Sequence, residues 1–186
     1  MANLEGHLRK LSLVLLFIAT SCFVAFAQDA PKNEVFGGYS YFRVDTGAVG
    51  SGDHANLNGW NAAATHFFTS NLGFTADFSG AYGSPSELGS LNTHVHNFMF
   101  GPTYAIMRDK KISPFAHALF GVSHLHVGSG FDYSDNAFAM AYGGGVDAKV
   151  NKHFSVRVAQ VDYLYTNFTE DNQNHFRYSG GVVFHF

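Results

Sequence analysis

Cysteine is almost missing from these 186 residues: there is one, Cys22, and it falls in a segment expected to leave the mature chain. Disulfide frameworks and cysteine catalysis drop out with it. Charge is scarce too, at 13% of residues, about half the ~25% of soluble domains. With a net charge of −3 and no basic stripe, the chain is not expected to bind nucleic acid. Past the N-terminus no apolar run approaches the ~18 residues of a membrane helix. No glycine-rich loop leads from a strand into a helix, so a phosphate-cradling nucleotide site is not indicated.

Phenylalanine and glycine are plentiful, with 20 of each, at a mean hydropathy of −0.02. A soluble protein so rich in Phe and so poor in charge would be hard to keep dispersed. Low charge, many aromatics and no spanning helix fit a transmembrane barrel, whose strands alternate.

The N-terminus points to a compartment. His7, Arg9 and Lys10 precede the apolar run "LSLVLLFIA" at 11–19, and "AFA" at 25–27 precedes Gln28. A basic region, an apolar core and an A-x-A site make residues 1–27 a secretory signal peptide. Residues 28–33 are then a short periplasmic lead and 34–186 a single barrel domain. A lipoprotein reading through "ATSC" at 19–22 lacks the usual leucine three residues before the cysteine.

From residue 34 the pattern is strand, break, strand. Eight candidates cover 35–44, 57–68, 72–82, 94–106, 113–126, 137–150, 154–165 and 175–186. Most exceed the ~5–6 residues of soluble strands and meet the ~9–11 a tilted membrane strand needs. Long and short breaks alternate, as short periplasmic turns and longer outer loops do in outer-membrane barrels. The long breaks hold Asp45, Asp53, Glu87, Asp132, Asp135, Glu170 and Asp171; the short ones hold Arg108, Asp109, Lys110, Lys111 and Lys152. The expected fold is all-β: an eight-stranded antiparallel up-and-down transmembrane barrel.

Period-two parity sorts each strand into two faces. Strand three sets Phe74, Phe78 and Tyr82 against Thr75, Asp77 and Ser79; strand six sets Phe138, Met140 and Tyr142 against Ala139, Gly143 and Asp147. The bulky apolar set is expected to face lipid and the small or polar set the narrow lumen. A turn centred on Asn151-Lys152 puts Asp147 opposite Arg157, which is expected to be a structural ion pair in the lumen. Arg157 is odd-numbered while Gln160 and Asp162 are even, so a bulge is expected between them. Strand five leaves its faces open, with Phe115 and Leu119 on one side and Phe120 and Val122 on the other.

Eleven histidines raise the question of metal. His94 and His96 open strand four, and His124 and His126 end strand five. Residues two apart share a face, and the intervening turn sets the two pairs opposite each other. The spacing is compatible with zinc, copper or nickel; the plainer reading is polar residues at lipid-headgroup level. No cofactor is otherwise expected.

The segments "FGGYSYFRV" at 36–44, "LGFTADFSGAYG" at 72–83, "SPFAHALFGVSH" at 113–124, "AYGGGVDAKV" at 141–150 and "YSGGVVFHF" at 178–186 carry a family resemblance. The chain resembles the small eight-stranded outer-membrane barrels of the OmpA-like superfamily, which includes OmpX-type and OmpW-type proteins. The resemblance implies residence in the bacterial outer membrane, contact with its lipid and lipopolysaccharide, and recognition by the barrel assembly machinery. The assembly signal it implies is the outward set Phe186, Phe184 and Val182 on the last strand. The function expected is non-enzymatic: an envelope-structural role, or adhesion to an unknown extracellular ligand through the loops. Two alternatives stand beside it, a lipid A-modifying enzyme and a narrow pore for small solutes. For the first, His175 and Ser179 share a face but lie ~13 Å apart along the strand, too far for a nucleophile–base hydrogen bond.

Overall fold

The computed structural model describes residues 31–45, 54–83, 92–128, 132–168 and 171–186. It is an all-β closed barrel in which neighbours in sequence are neighbours in the sheet. The strands are β1 (Asn33–Asp45), β2 (His54–Phe67), β3 (Leu72–Gly83), β4 (Asn92–Ala105), β5 (Ile112–Gly128), β6 (Asp132–Lys149), β7 (Phe154–Phe168) and β8 (Asp171–His185). Every pairing is antiparallel, and β8 closes on β1 with Tyr41 opposite Tyr178 and Glu34 opposite His185. Closure leaves no unpaired edge. The signal peptide and the acidic side chains of the long loops lie outside the described residues.

The short connections are built from side chains that bond their own backbone. In the β2–β3 turn the Thr69 hydroxyl accepts from the Leu72 amide at 2.9 Å. In the β6–β7 turn Asn151 Oδ1 accepts from the amides of His153 and Phe154 at 2.8 and 2.9 Å. Both are the Asx and ST turn devices that reverse a chain tightly.

Alternation decides the two faces. On β3, Thr75, Asp77 and Ser79 are buried while Phe74 is exposed. The outward surface is a belt of Phe, Tyr and Val that includes Phe98, Phe100, Phe120, Tyr142, Phe176 and Phe184. Neighbouring rings meet edge to face, as Phe78 and Phe98 do at 5.4 Å between centroids, the arrangement aromatic quadrupoles favour. On β5 the odd residues turn inward: Leu119 is fully buried and Phe120 exposed.

The lumen is less uniformly polar than the alternation suggests. Toward the long-loop end it is filled by Phe42, Leu57, Ala81, Met99, Leu119, Ala139, Ala141 and Leu164. An eight-stranded barrel is only wide enough for side chains to fill, so this layer closes it with apolar contacts. Buried charge stands beside it: Asp77 is opposite Met99 on β3 and β4, and Arg177 is opposite Phe42 on β8 and β1.

Candidate functional site

Arg177, on β8, is the largest fully buried side chain. Its guanidinium crosses the lumen to Asp77 on β3, with donor–acceptor distances of 2.7 and 3.2 Å. The same group donates from Nε to Asp162 Oδ2 on β7 at 2.8 Å. Asp162 also accepts from His117 Nε2 on β5 at 2.7 Å and from Gln160 Nε2 at 2.7 Å. Because a carboxylate only accepts, His117 carries its proton on Nε2 in this contact. Asn61 on β2 donates to Asp77 at 2.8 Å. Side chains from β2, β3, β5, β7 and β8 thus converge on one buried guanidinium.

The layer continues toward the short turns. Arg157 donates from Nε and Nη2 to the two oxygens of Asp147 at 2.8 and 3.0 Å, and from Nη1 to Gln160 Oε1 at 2.8 Å. The guanidinium lies between the Phe36 and Phe115 rings, 4.3 and 4.2 Å from their centroids. Register shifts fall between Arg157 and Gln160 against β8, and between Val146 and Asp147 against β6. A bulge at that point lets odd-numbered Arg157 and even-numbered Gln160 and Asp162 all point inward.

Arg108 lies in the short connection between β4 and β5, where sequence placed it, and it is buried at the barrel's short-turn mouth. Met107 before it has a φ of 54°, the left-handed region that reverses a chain abruptly. That turn carries the guanidinium over the Phe67 ring at 3.4 Å and onto Glu34 at 2.8 Å. It also donates to the carbonyls of Pro31 and Ser70. Lys149 fixes the turn from the far side by donating to the Arg108 carbonyl at 3.0 Å.

Beside Arg108 lies a contact set that sequence reasoning missed. Ser155 Oγ is 2.7 Å from His185 Nε2, and His185 Nδ1 is 3.3 Å from Glu34 Oε1. These are the partners of a serine–histidine–carboxylate array. A small cavity lined by these residues, Arg108, Lys149 and Asp147 leaves about 30 Å³ for water centres, room for roughly two waters at ~10–15 Å³ each. Ser155 is 2% exposed. The array links β7, β8 and β1 at the barrel mouth. The other candidate pair is separated: His175 Nε2 faces Thr166 Oγ1 at 3.2 Å, while Ser179 Oγ faces Ser40 Oγ at 2.6 Å.

The four histidines sit on the outward face near the long-loop end. His94 pairs with His126 and His96 with His124 across β4 and β5, and the rings of His94 and His126 lie edge to face at 6.2 Å. Tyr82 packs against both His94 and His96, and its hydroxyl is 3.0 Å from His96 Nε2. Trp60 Nε1 donates to that hydroxyl at 3.2 Å, and His124 Nδ1 is 2.8 Å from Asn136 Oδ1. Among the described residues no three His, Cys, Asp or Glu side chains are grouped to hold a metal ion.

Phe184, Val182 and Phe186 all face outward. Phe186 exchanges two backbone hydrogen bonds with Asn33, each 3.0 Å, and its ring stacks on Phe184 at 5.7 Å.

Comparison with known proteins agrees with this architecture. Residues 12–186 match the family model described as outer membrane protein beta-barrel domain. Neisserial surface protein A superposes with a TM-score of 0.70 at 16% identity, over 86% of this chain and all of the other. The Ail protein of Yersinia pestis gives 0.58 at 18% identity, over 83% and 99%. OprG of Pseudomonas aeruginosa gives 0.55 at 11% identity, over 86% and 98%. No curated protein sequence matches the chain.

Proposed function

The chain belongs to the outer membrane protein beta-barrel domain family and resides in the bacterial outer membrane; from that premise we propose that it is a non-enzymatic, closed barrel that works through its outer surface. The short-turn end is then periplasmic and the long loops are external. The observation that carries the proposal is the double stopper in the lumen. The apolar side chains around Met99 and Leu119 stand beside a guanidinium, Arg177, bonded to two carboxylates on different strands. A solute would have to break buried ion pairs and also displace the apolar side chains packed among them, and breaking such a pair costs about 3–5 kcal/mol. Binding is left to the external loops, whose sequence is acidic and rich in glycine and serine, with an extracellular ligand as partner. The outward aromatics contact membrane lipid, and the last strand is the part read by the assembly machinery.

Planar-bilayer recording tests the reading. The purified barrel should add no resolvable unitary conductance, while retaining the heat-dependent gel mobility of a folded barrel. Steady channel openings would overturn it. Lipid A mass spectra identical with and without expression are expected; an altered acyl pattern would revive the enzyme alternative.

A further inference from the structure

Toward the short turns, the outward face of β5 and β6 is lower than the strands beside it. Tyr104 and Ile106 on β4 and Phe154 and Val156 on β7 stand exposed as its walls. Between them Pro114 and Ala116 on β5 face Val146 and Gly144 on β6, so the floor is built of small side chains. The groove ends where the Phe120 and Tyr142 rings meet edge to face at 6.1 Å. From Ile112 to Ala118, six steps of ~3.3 Å on a strand tilted ~40° rise roughly 15 Å. That is one leaflet of a ~30 Å hydrocarbon core. At its foot the groove opens onto two short turns held side by side, the Lys149 amide donating to the Lys111 carbonyl at 2.8 Å. These turns expose Lys110, Lys111, Lys152 and His153, whereas the β2–β3 turn at 68–71 has no charged residue. The acidic groups at this end are already engaged or set apart. Asp109 pairs with Lys110 at 2.7 Å, and Glu34 and Asp147 are held by Arg108 and Arg157 inside the mouth. The terminal carboxylate of Phe186 ends β8, beyond β7. Among the described residues no carboxylate pairs with Lys111 or Lys152.

We propose that the two turns and the groove above them bind an anionic glycerophospholipid of the periplasmic leaflet, with its phosphate at Lys111 and Lys152 and one acyl chain in the groove. The inference rests on the orientation given above, in which the short turns are periplasmic. Charge complementarity selects the headgroup. A phosphodiester without an ammonium group meets a rim whose free charges are cationic, while a zwitterionic headgroup brings a second cation to the lysines. Lysine suits the position, because its long stem lies along apolar surface while the ammonium reaches the headgroups. Ile112 directly follows Lys111, and Val150 lies two residues before Lys152; both are exposed. The surface therefore turns from apolar to cationic within one or two residues, as a membrane boundary requires. A chain in the groove touches protein on its floor and both walls, and such contacts add up although each is small.

Native mass spectrometry of the detergent-solubilised full chain tests the site, with phosphatidylglycerol and phosphatidylcholine of identical chains added at low salt. The wild type should hold phosphatidylglycerol about tenfold more tightly, the gain of two lysines near an anionic headgroup. Lys111→Gln/Lys152→Gln should lose that preference and keep its folded gel mobility. Lys32→Gln, beside β1 on the far side of the rim, should behave as wild type. Ala116→Phe, which fills the groove from the lipid side, should weaken both lipids and leave their ratio unchanged. Equal retention of the two lipids by the wild type, or an unchanged preference in the double lysine variant, would overturn the site. An equal loss in Lys32→Gln would overturn it in favour of charge spread around the whole rim. Wild-type binding by Ala116→Phe would overturn the groove as the place of the chain. Displacement by millimolar glycerol phosphate would overturn the lipid in favour of a free phosphate. Orientation has its own readout. Lys152→Cys in intact cells should not react with a maleimide carried on a polymer too large to enter. Labelling there would overturn the orientation and with it the choice of leaflet, whereas binding results in detergent bear on the site alone.

Discussion

Arg177 Nη1 lies 2.7 Å from Asp77 Oδ1 although the two residues are 100 apart in sequence, on strands that are not neighbours in the sheet. The contact runs across the barrel rather than along the sheet, and it ties β3 to β8 independently of the backbone ladder. Asp162 and Asp77 share the one guanidinium, so removing it leaves two buried carboxylates without their cation.

Arg177→Met should therefore be the costliest single change in the lumen, at about 3–5 kcal/mol. Asp77→Asn should cost less, because an amide still accepts from the guanidinium and Asp162 retains it. Urea titration of the folded fraction, read by heat-dependent gel mobility, gives both values. A midpoint for Arg177→Met within error of wild type would contradict this account of the layer.

Two glycines separate close approach from mere tolerance. A Cβ on Gly143 would fall inside contact distance of Asp162 Oδ1 and of the Val161 carbonyl, whereas one on Gly37 meets nothing within 4 Å. Gly143→Ala should destabilise by about 1–3 kcal/mol through overpacking against the charged layer. Gly37→Ala, in open space on the outward face, should be neutral to stabilising by about 0.4–1 kcal/mol, through lower entropy of the unfolded chain. The same urea assay ranks them, and equal effects would show that the space around Gly143 relaxes.

Much of the barrel was legible from the chain because alternation and loop length are local. The bulge in β7 was legible for a sharper reason. Arg157 and Asp162 differ in parity, yet neither charge can face lipid, so the strand must change step between them. Asp147 opposite Arg157 followed from counting across one short turn. Arg177 with Asp77 did not, because hairpin counting reaches only adjacent strands and says nothing of which residues meet across the lumen. Strand five stayed open because Phe115 and Phe120 give both faces a ring. Glu34 with His185 needed the register of closure between first and last strands, which no turn fixes. Arg108 hid behind its position in a turn, where a charge is ordinarily solvated; Phe67 and Glu34, distant in sequence, draw it in.

Arg108 closes the short-turn mouth through Glu34 and Phe67, and the left-handed Met107 makes that possible. Arg108→Ala should cost about 1–3 kcal/mol by removing the cation from a largely buried carboxylate. Met107→Gly should stabilise by about 1 kcal/mol, since a non-glycine residue in the left-handed region costs roughly 1–2 kcal/mol. Opposite shifts of the urea midpoint are expected from two neighbouring residues. A loss from Met107→Gly would mean that its side chain, rather than its backbone, holds the turn.

Phe186 makes two backbone hydrogen bonds to Asn33 and stacks on Phe184, so it is the last link in the closure of β8 on β1. Removing it takes two bonds from a seam that β8 otherwise shares with β1 from Glu34 to Val44. The folded barrel should lose only about 1–3 kcal/mol for two backbone bonds, too little to unfold so extensive a pairing. Assembly should respond differently under the proposed role of the last strand, in which the machinery selects the outward aromatic before the barrel has closed. The phenylalanine-deleted chain should therefore refold in detergent with normal heat-dependent mobility, yet reach the outer membrane of cells poorly. Phe186→Ala, which keeps the two backbone bonds and removes only the ring, should show the same split. Normal membrane yield from both variants would remove Phe186 from the assembly signal, and failure to refold in detergent would make its role structural instead.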